Sequence, residues 1–147
     1  EVFIGNFDDG AAAREAALAL LEEGADFLIH QANDAGRGVF QAVSERAAGG
    51  AAVYAFGTNR DQSAMAPDVV IASATLDLPG AFVEVARRVR EGRFEAKPLR
   101  LGMNEGVVGF AWNPGLEGRV PEAVRQELRD AEARIRSGAL AVPRGDF

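Results

Sequence analysis

The sequence predicts an α/β fold built on a mainly parallel sheet with helices on both of its faces. Short apolar segments alternate with amphipathic ones, in the order strand, helix, strand, helix, strand. The strand candidates are apolar throughout, as expected when both faces of a sheet are buried. A polar segment follows each of them. This order is typical of a sheet whose crossover connections are helices.

Four segments are predicted as strands, at residues 2–5, 27–30, 52–56 and 69–72. Helices are predicted at residues 11–23, 36–48, 79–90 and 121–137, and a glycine follows within two residues of the end of each. Beyond Phe94 the pattern changes, and residues 99–103 and 107–112 are predicted as two strands around a turn at residues 104–106. Residues 139–147 are predicted to form an extended tail.

Composition limits the classes of function. The 147 residues are 48% hydrophobic and 26% charged, the balance of one ordinary globular domain. Cysteine is absent, which excludes disulfides and thiolate metal sites. The net charge of −6 and the lack of a basic run argue against nucleic acid as a partner. No apolar stretch of the sequence reaches the length of a membrane span.

The candidate binding residues follow the predicted strands. In an open parallel sheet, ligands bind beyond the carboxyl ends of the strands. The segments there carry Asn, Asp, Gln and Thr, which suit hydroxyls, amides and exocyclic amines better than phosphate or carboxylate. Asn59 is predicted as the main anchor. The full predicted ligand-binding set is Phe7, His30, Asn33, Asp34, Asn59 and Asp61.

Several of these polar residues also have a purely structural interpretation. Asn6, Asp8 and Asp9 precede a helix and could cap it. Asn33 and Asp34 could cap the second helix, and the single histidine could be a partly buried residue with its hydrogen bonds satisfied. Asn59 and Asp61 are too far from a helix start for capping to explain them, which favours a functional role there.

The sequence argues against an enzyme. One histidine and no cysteine exclude a Cys–His dyad, and a metal site would depend on carboxylates alone. The chain has no G-x-S-x-G elbow, no Walker pattern and no G-x-G-x-x-G after a strand. Gly36-Arg37-Gly38 opens a helix but lacks the third glycine. His30 with Asp34 could form an acid–base pair, but nothing beside it supplies a nucleophile. No metal or cofactor is expected.

A set of motifs resembles a known family. They are Gly5–Asp9, Ala16–Leu20, Glu23–Asp26, Gly36–Ala42, Gly57–Gln62, Ala66–Asp68, Glu91–Phe94, Gly106–Gly109 and Ile135–Gly138. No one of them is specific, but the ordered set covers nearly the whole chain. It resembles the basic membrane protein family of substrate-binding lipoproteins, which includes purine nucleoside receptors.

The resemblance implies one lobe of a two-lobed periplasmic-binding fold of type I, closing on its ligand like a clamp. Residues 1–147 would form the second lobe, with residues 95–147 as the cross-back strands near the hinge and the terminal helix. The first lobe and a lipoprotein leader would lie outside this chain. Its partners would be a small ligand such as a nucleoside or nucleobase, the first lobe, and the permease of an ABC-type importer, at the outer face of the cell membrane.

Departures from the family pattern indicate a rebuilt pocket. Asn59 stands where nucleoside-binding members have an Asp for the ribose hydroxyls, and Leu76 stands where they have a Lys. Asn33-Asp34 replaces a glycine pair, and the stacking aromatic belongs near Ile29 or His30. Two other classes of function remain open: a ligand-sensing regulatory domain of the same fold and, less favoured, a flavodoxin-like enzyme.

Overall fold

A computed structural model describes residues 1–143 and contains four helices and four strands in this range. The helices are α1 (Gly10–Glu22), α2 (Gly36–Ala48), α3 (Leu78–Arg90) and α4 (Glu122–Arg136). The strands are β1 (Phe27–Ile29), β2 (Tyr54–Gly57), β3 (Val70–Leu76) and β4 (Val108–Trp112). Short 3₁₀ turns lie at Asn33–Ala35, Ser63–Met65 and Glu117–Arg119.

The chain divides into two compact units. Residues 1–75 and 110–119 form the first, and residues 76–109 with the described residues from 120 onward form the second. The strands form one sheet in the order β1-β2-β3-β4. β1 pairs with β2 in parallel, with Phe27 opposite Tyr54, and β2 pairs with β3 in parallel. The predicted parallel sheet is therefore confirmed for three of its four segments, those near residues 27–30, 52–56 and 69–72.

The predicted strand at residues 2–5 is wrong. This segment forms no strand of the sheet, and Phe3 is 84% exposed. An apolar segment becomes a strand only where a neighbour accepts and donates its backbone hydrogen bonds.

The strand predicted at residues 99–103 is also wrong. The carbonyl of Gly102 accepts from the backbone N–H groups of Val107 and Val108, which makes a turn there. β4 instead joins the main sheet. Residues 139–143 lie outside helices and strands, and the remainder of the predicted tail, residues 144–147, lies outside the described residues.

The core of the first unit lies where α1 and α2 pack against each other and against the sheet. α1 contributes small residues and a leucine, and α2 contributes larger ones; the buried set includes Ala13, Ala17, Leu21, Val39, Phe40 and Val43. The two helices approach closely at Gly10 and Gly38, since a Cβ added at Gly38 would lie 1.9 Å from the Gly10 carbonyl oxygen. An ion pair between Arg14 and Glu45 joins their outer edges.

The second unit has helices without a buried face. Asp77 caps α3 by accepting from the Gly80 N–H at 2.9 Å. α3 nevertheless has no buried residue, and its Phe82 is 75% exposed. α4 is also without buried residues, and Glu122, with Arg125 and Arg129, forms ion pairs along its surface. The rigid packing that positions a site therefore belongs to the first unit.

Gly38→Ala is expected to lower the free energy of unfolding by about 1–3 kcal/mol, because the new methyl group would overlap the backbone of α1. This cost outweighs the gain in helix propensity, which is at most about 1 kcal/mol. Urea denaturation measures it. Gly118→Ala is the matched control, because an added Cβ there meets no atom within 4 Å. An equal effect of both substitutions would show that the helix contact is not the cause.

Candidate functional site

A cleft of about 650 Å³ opens in the first unit. Its size is within the range of small-molecule sites, about 300–1,000 Å³. The cleft lies between the segment of residues 1–7, one side of α1, and the end of β1 with the residues that follow it. The walls are mostly apolar and include Ala13, Ala16, Ala17, Leu20, Leu28 and Val39. The alanines of α1 keep this space open because their side chains end at Cβ.

His30 lies at the carboxyl end of β1 and lines the cleft. It is 6% exposed and packs edge-on against Phe40, with ring centroids 5.0 Å apart. Its ring lies against Gly36, where an added Cβ would be 2.2 Å from the imidazole Cε1. Gly36 therefore makes room for the histidine and Gly38 for α1. Packing, rather than phosphate binding, accounts for both glycines of the Gly36-Arg37-Gly38 motif.

The environment of His30 favours the neutral ring with its proton on Nε2. The backbone N–H of Ala32 donates to Nδ1 at 3.4 Å, so Nδ1 acts as an acceptor. Nε2 is buried and has no hydrogen-bond partner. Burial lowers the pKa of His30 below its usual 6.5, and the neighbouring Gln62 side chain opposes this only in part.

Buried hydrogen bonds hold the loop after β2. The Thr58 backbone N–H donates to Gln62 Oε1 at 2.7 Å, and the Gln62 backbone N–H donates to Ser73 Oγ at 3.1 Å. These bonds place Asn59, which has a φ of +69°, and Asp61 on the outside of the loop. The Ser63 N–H donates to Asp61 Oδ1 at 2.9 Å and lowers the pKa of that carboxyl.

The structure brings only part of the predicted set together. Phe7 and His30 line the cleft. Asn33, Asp34, Asn59 and Asp61 are exposed and are not among its lining residues. They instead surround the same carboxyl edge of the sheet, on the loops that follow β1 and β2.

The capping interpretation holds for one group of residues only. Asp9 Oδ1 accepts from the Ala12 N–H at 2.9 Å and caps α1, while Asn6 Oδ1 accepts from the N–H groups of Asp8 and Asp9. Neither Asn33 nor Asp34 caps α2: the helix begins after Ala35 without a side-chain cap. Asp34 instead pairs with Arg37 at 3.3 Å.

The predicted set of binding residues omits Thr58. This residue is 7% exposed, lines the cleft, and its Oγ1 has no hydrogen-bond partner. Gln62 and Ser73 were missed as the buried residues that hold the loop. The sequence feature that could have identified Thr58 is its position, because it directly follows the apolar residues of β2. Position alone does not say which residue of a strand-end loop turns inward.

Residues 1–143 have no cluster of three or more His, Cys, Asp or Glu side chains arranged to hold a metal ion. Within the same range, no helix is long and apolar enough to cross a membrane.

The fold is an α/β lobe with a cleft and exposed polar loops at the carboxyl edge of its parallel sheet. The chain belongs to the family described as ABC transporter substrate-binding protein, PnrA-like, whose pattern matches residues 2–144. The resemblance to basic membrane proteins is thereby confirmed.

Relatives support the assignment over most of the chain. Basic membrane protein A of Borreliella afzelii is 32% identical over 143 residues, which cover 96% of this chain and 42% of the relative. A purine-binding protein of Brucella abortus is 30% identical over 134 residues, covering 91% and 35%. The chain thus spans 35–42% of the length of these two relatives.

A solved structure supports the fold. The crystal structure of an ABC transporter solute-binding protein from Aeropyrum pernix superimposes with a TM-score of 0.83 at 22% identity, covering 99% of this chain and 48% of that one. A lobe of the periplasmic-binding type, with a sheet dominated by parallel pairs, is therefore the fold of this chain.

His30 is expected to make stability depend on pH. The folded state holds the ring neutral to a pH below 6.5, whereas the unfolded chain protonates near 6.5. Well above pH 6.5 the ring is neutral in both states, so His30 does not make the free energy of unfolding depend on pH. As the pH falls below 6.5, the unfolded state binds the proton first and the free energy of unfolding decreases.

Urea denaturation between pH 7 and pH 5 measures this, with His30→Gln as the variant that does not titrate. Between pH 7 and pH 5, the free energy of unfolding should fall less in the variant than in the parent, by the amount that His30 contributes. Since the chain has one histidine, its Cε1–H signal in NMR should also titrate below 6.5. Identical slopes for both proteins would contradict the assignment.

Proposed function

We propose that the intact protein is the extracytoplasmic solute-binding component of an ABC-type importer and captures a nucleoside or nucleobase without chemically changing it. The single observation that carries the proposal is the cleft at the carboxyl end of β1, with apolar walls and the neutral, buried His30. The family is one of solute-binding proteins, which supports binding rather than catalysis.

The character of the cleft favours an uncharged, flat ligand. Its walls are largely alanine, leucine and valine, and Phe7 lies at its edge. Of the lining residues, Glu1 alone has a carboxylate side chain, and none is Lys or Arg. A phosphate or carboxylate would therefore enter without a cation to pair with it, which is costly in a buried site. The purine-binding relative in Brucella abortus is consistent with a heterocyclic ligand.

The remaining features of the proposal concern the whole protein. We propose that this chain is the second of two lobes and that residues 95–147 provide the hinge crossings and the terminal helix. The first lobe would close over the exposed residues at the carboxyl edge, and a lipid anchor and an ABC permease would complete the system. The greater length of the relatives supports this arrangement.

Calorimetry on the intact protein with inosine, adenosine, hypoxanthine and adenine tests the proposal. AMP and ribose serve as comparators, because AMP adds charge and ribose lacks the heterocycle. At least one uncharged nucleoside or nucleobase is expected to bind, and AMP is expected to bind more weakly than adenosine. Binding of none of the four would show that the proposed ligand class is wrong.

Asn59 is proposed as the anchor at the rim of the site, and Asn59→Ala is expected to weaken nucleoside binding about ten-fold or more. The physical reason is a polar ligand group left without its partner, at a cost of about 1–3 kcal/mol. Calorimetry on the intact protein measures the change.

The positive φ of Asn59 requires a second variant. Alanine at this position adds backbone strain of about 1 kcal/mol, which glycine avoids. Asn59→Gly therefore separates loss of the side chain from strain in the loop. If Asn59→Gly binds the ligand as tightly as the parent, Asn59 is not an anchor.

A further inference from the structure

Two buried polar atoms in the first unit have no hydrogen-bond partner: His30 Nε2 and Thr58 Oγ1. Both residues are more than nine-tenths buried, and both line the cleft. They follow neighbouring parallel strands, β1 and β2, which places them at the same edge of the sheet. Folded proteins rarely leave such atoms unpaired, and those that remain call for an explanation.

Buried hydrogen bonds hold the loop that carries Thr58. The backbone N–H of Thr58 donates to Gln62 Oε1 at 2.7 Å. The Gln62 backbone N–H donates to Ser73 Oγ at 3.1 Å, which holds the glutamine in place. The loop is therefore held in a form in which His30 Nε2 and Thr58 Oγ1 have no hydrogen-bond partner.

The chemistry of the two atoms differs. Because Nδ1 of His30 accepts from the Ala32 N–H, the neutral ring carries its proton on Nε2, which can only donate. The Thr58 hydroxyl rotates and can donate or accept. A complementary ligand must supply an acceptor to the imidazole and one further polar group to the hydroxyl.

We propose that His30 and Thr58 recognise the polar edge of an uncharged heterocycle, with a carbonyl oxygen or ring nitrogen accepting from His30 Nε2–H. This assignment rests on the proposed function and deepens it: the base of the ligand, rather than its sugar, enters the cleft. The apolar wall formed by Ala13, Ala17 and Leu20 suits contact with the faces of the heterocycle. The two polar atoms would form hydrogen bonds with its edge.

Thr58→Val tests the hydroxyl, because valine has nearly the same shape and lacks the oxygen. In the intact protein, hypoxanthine and inosine are expected to bind about ten-fold or more weakly to this variant, the effect of leaving a buried polar group unpaired in the complex. Thr58→Ser keeps the hydroxyl and is the matched control, expected to bind markedly more tightly than Thr58→Val.

Stability of the ligand-free protein distinguishes recognition from a structural role. Since Oγ1 has no partner in the folded protein, Thr58→Val should melt at the same temperature as the parent or higher. A hydroxyl that supports the fold would instead lower the melting temperature when removed. Unchanged affinity in Thr58→Val, or loss of stability without loss of affinity, would overturn the role of Thr58.

NMR of the single imidazole tests the other contact. The ¹⁵N spectrum of the ligand-free protein should show His30 protonated on Nε2, and hypoxanthine should shift that resonance and its proton. A ring protonated on Nδ1, or an Nε2 signal unmoved at saturating hypoxanthine, would overturn the role of His30.

The failures are distinguishable. If the parent protein binds none of the uncharged bases or nucleosides, the proposed function is wrong, and the heterocycle assignment fails with it. Suppose instead that the parent binds hypoxanthine, that Thr58→Val binds it equally tightly, and that the His30 Nε2 signal does not shift when it binds. The proposed function then stands, and this inference alone is wrong.

Discussion

The close contact of α1 with α2 at Gly10 and Gly38 is the constraint on which the rest of the first unit depends. With no side chain at Gly38, the backbones of the two helices meet directly. Two residues before Gly38 in the same helix, Gly36 leaves the space that the imidazole of His30 occupies. The alanines of α1 line the cleft beside that imidazole.

Holding polar groups without partners lowers stability. Each of the two unpaired atoms of His30 and Thr58 is estimated to cost about 1–3 kcal/mol in the folded protein. A domain tolerates this where a ligand later supplies the missing hydrogen bonds, since binding then recovers the cost. Binding sites commonly depart in this way from the arrangement that would be most stable.

The exposed loops differ in character from the cleft. Asn33, Asp34, Asn59 and Asp61 are exposed, and the two asparagines have positive φ angles of 47° and 69°. Asparagine tolerates this region better than most residues because its short polar side chain bonds locally. The loops therefore hold polar side chains outward at the carboxyl edge, while the buried Gln62 and Ser73 hold one of them from below.

The sequence by itself determined the four helices to within one residue at each end, the three parallel strands, the strand near residues 107–112 and the family, because apolar periodicity, capping residues and ordered motifs are local properties. It also located the polar edge, since chain order places the loops after the strands. Tertiary structure decided the rest. Val2–Ile4 has the composition of a strand, but pairing requires a neighbour that composition does not reveal. Which polar side chains turn inward was likewise beyond sequence: Asn59 stands outside and Thr58 inside because the backbone hydrogen bond to Gln62 orients the loop.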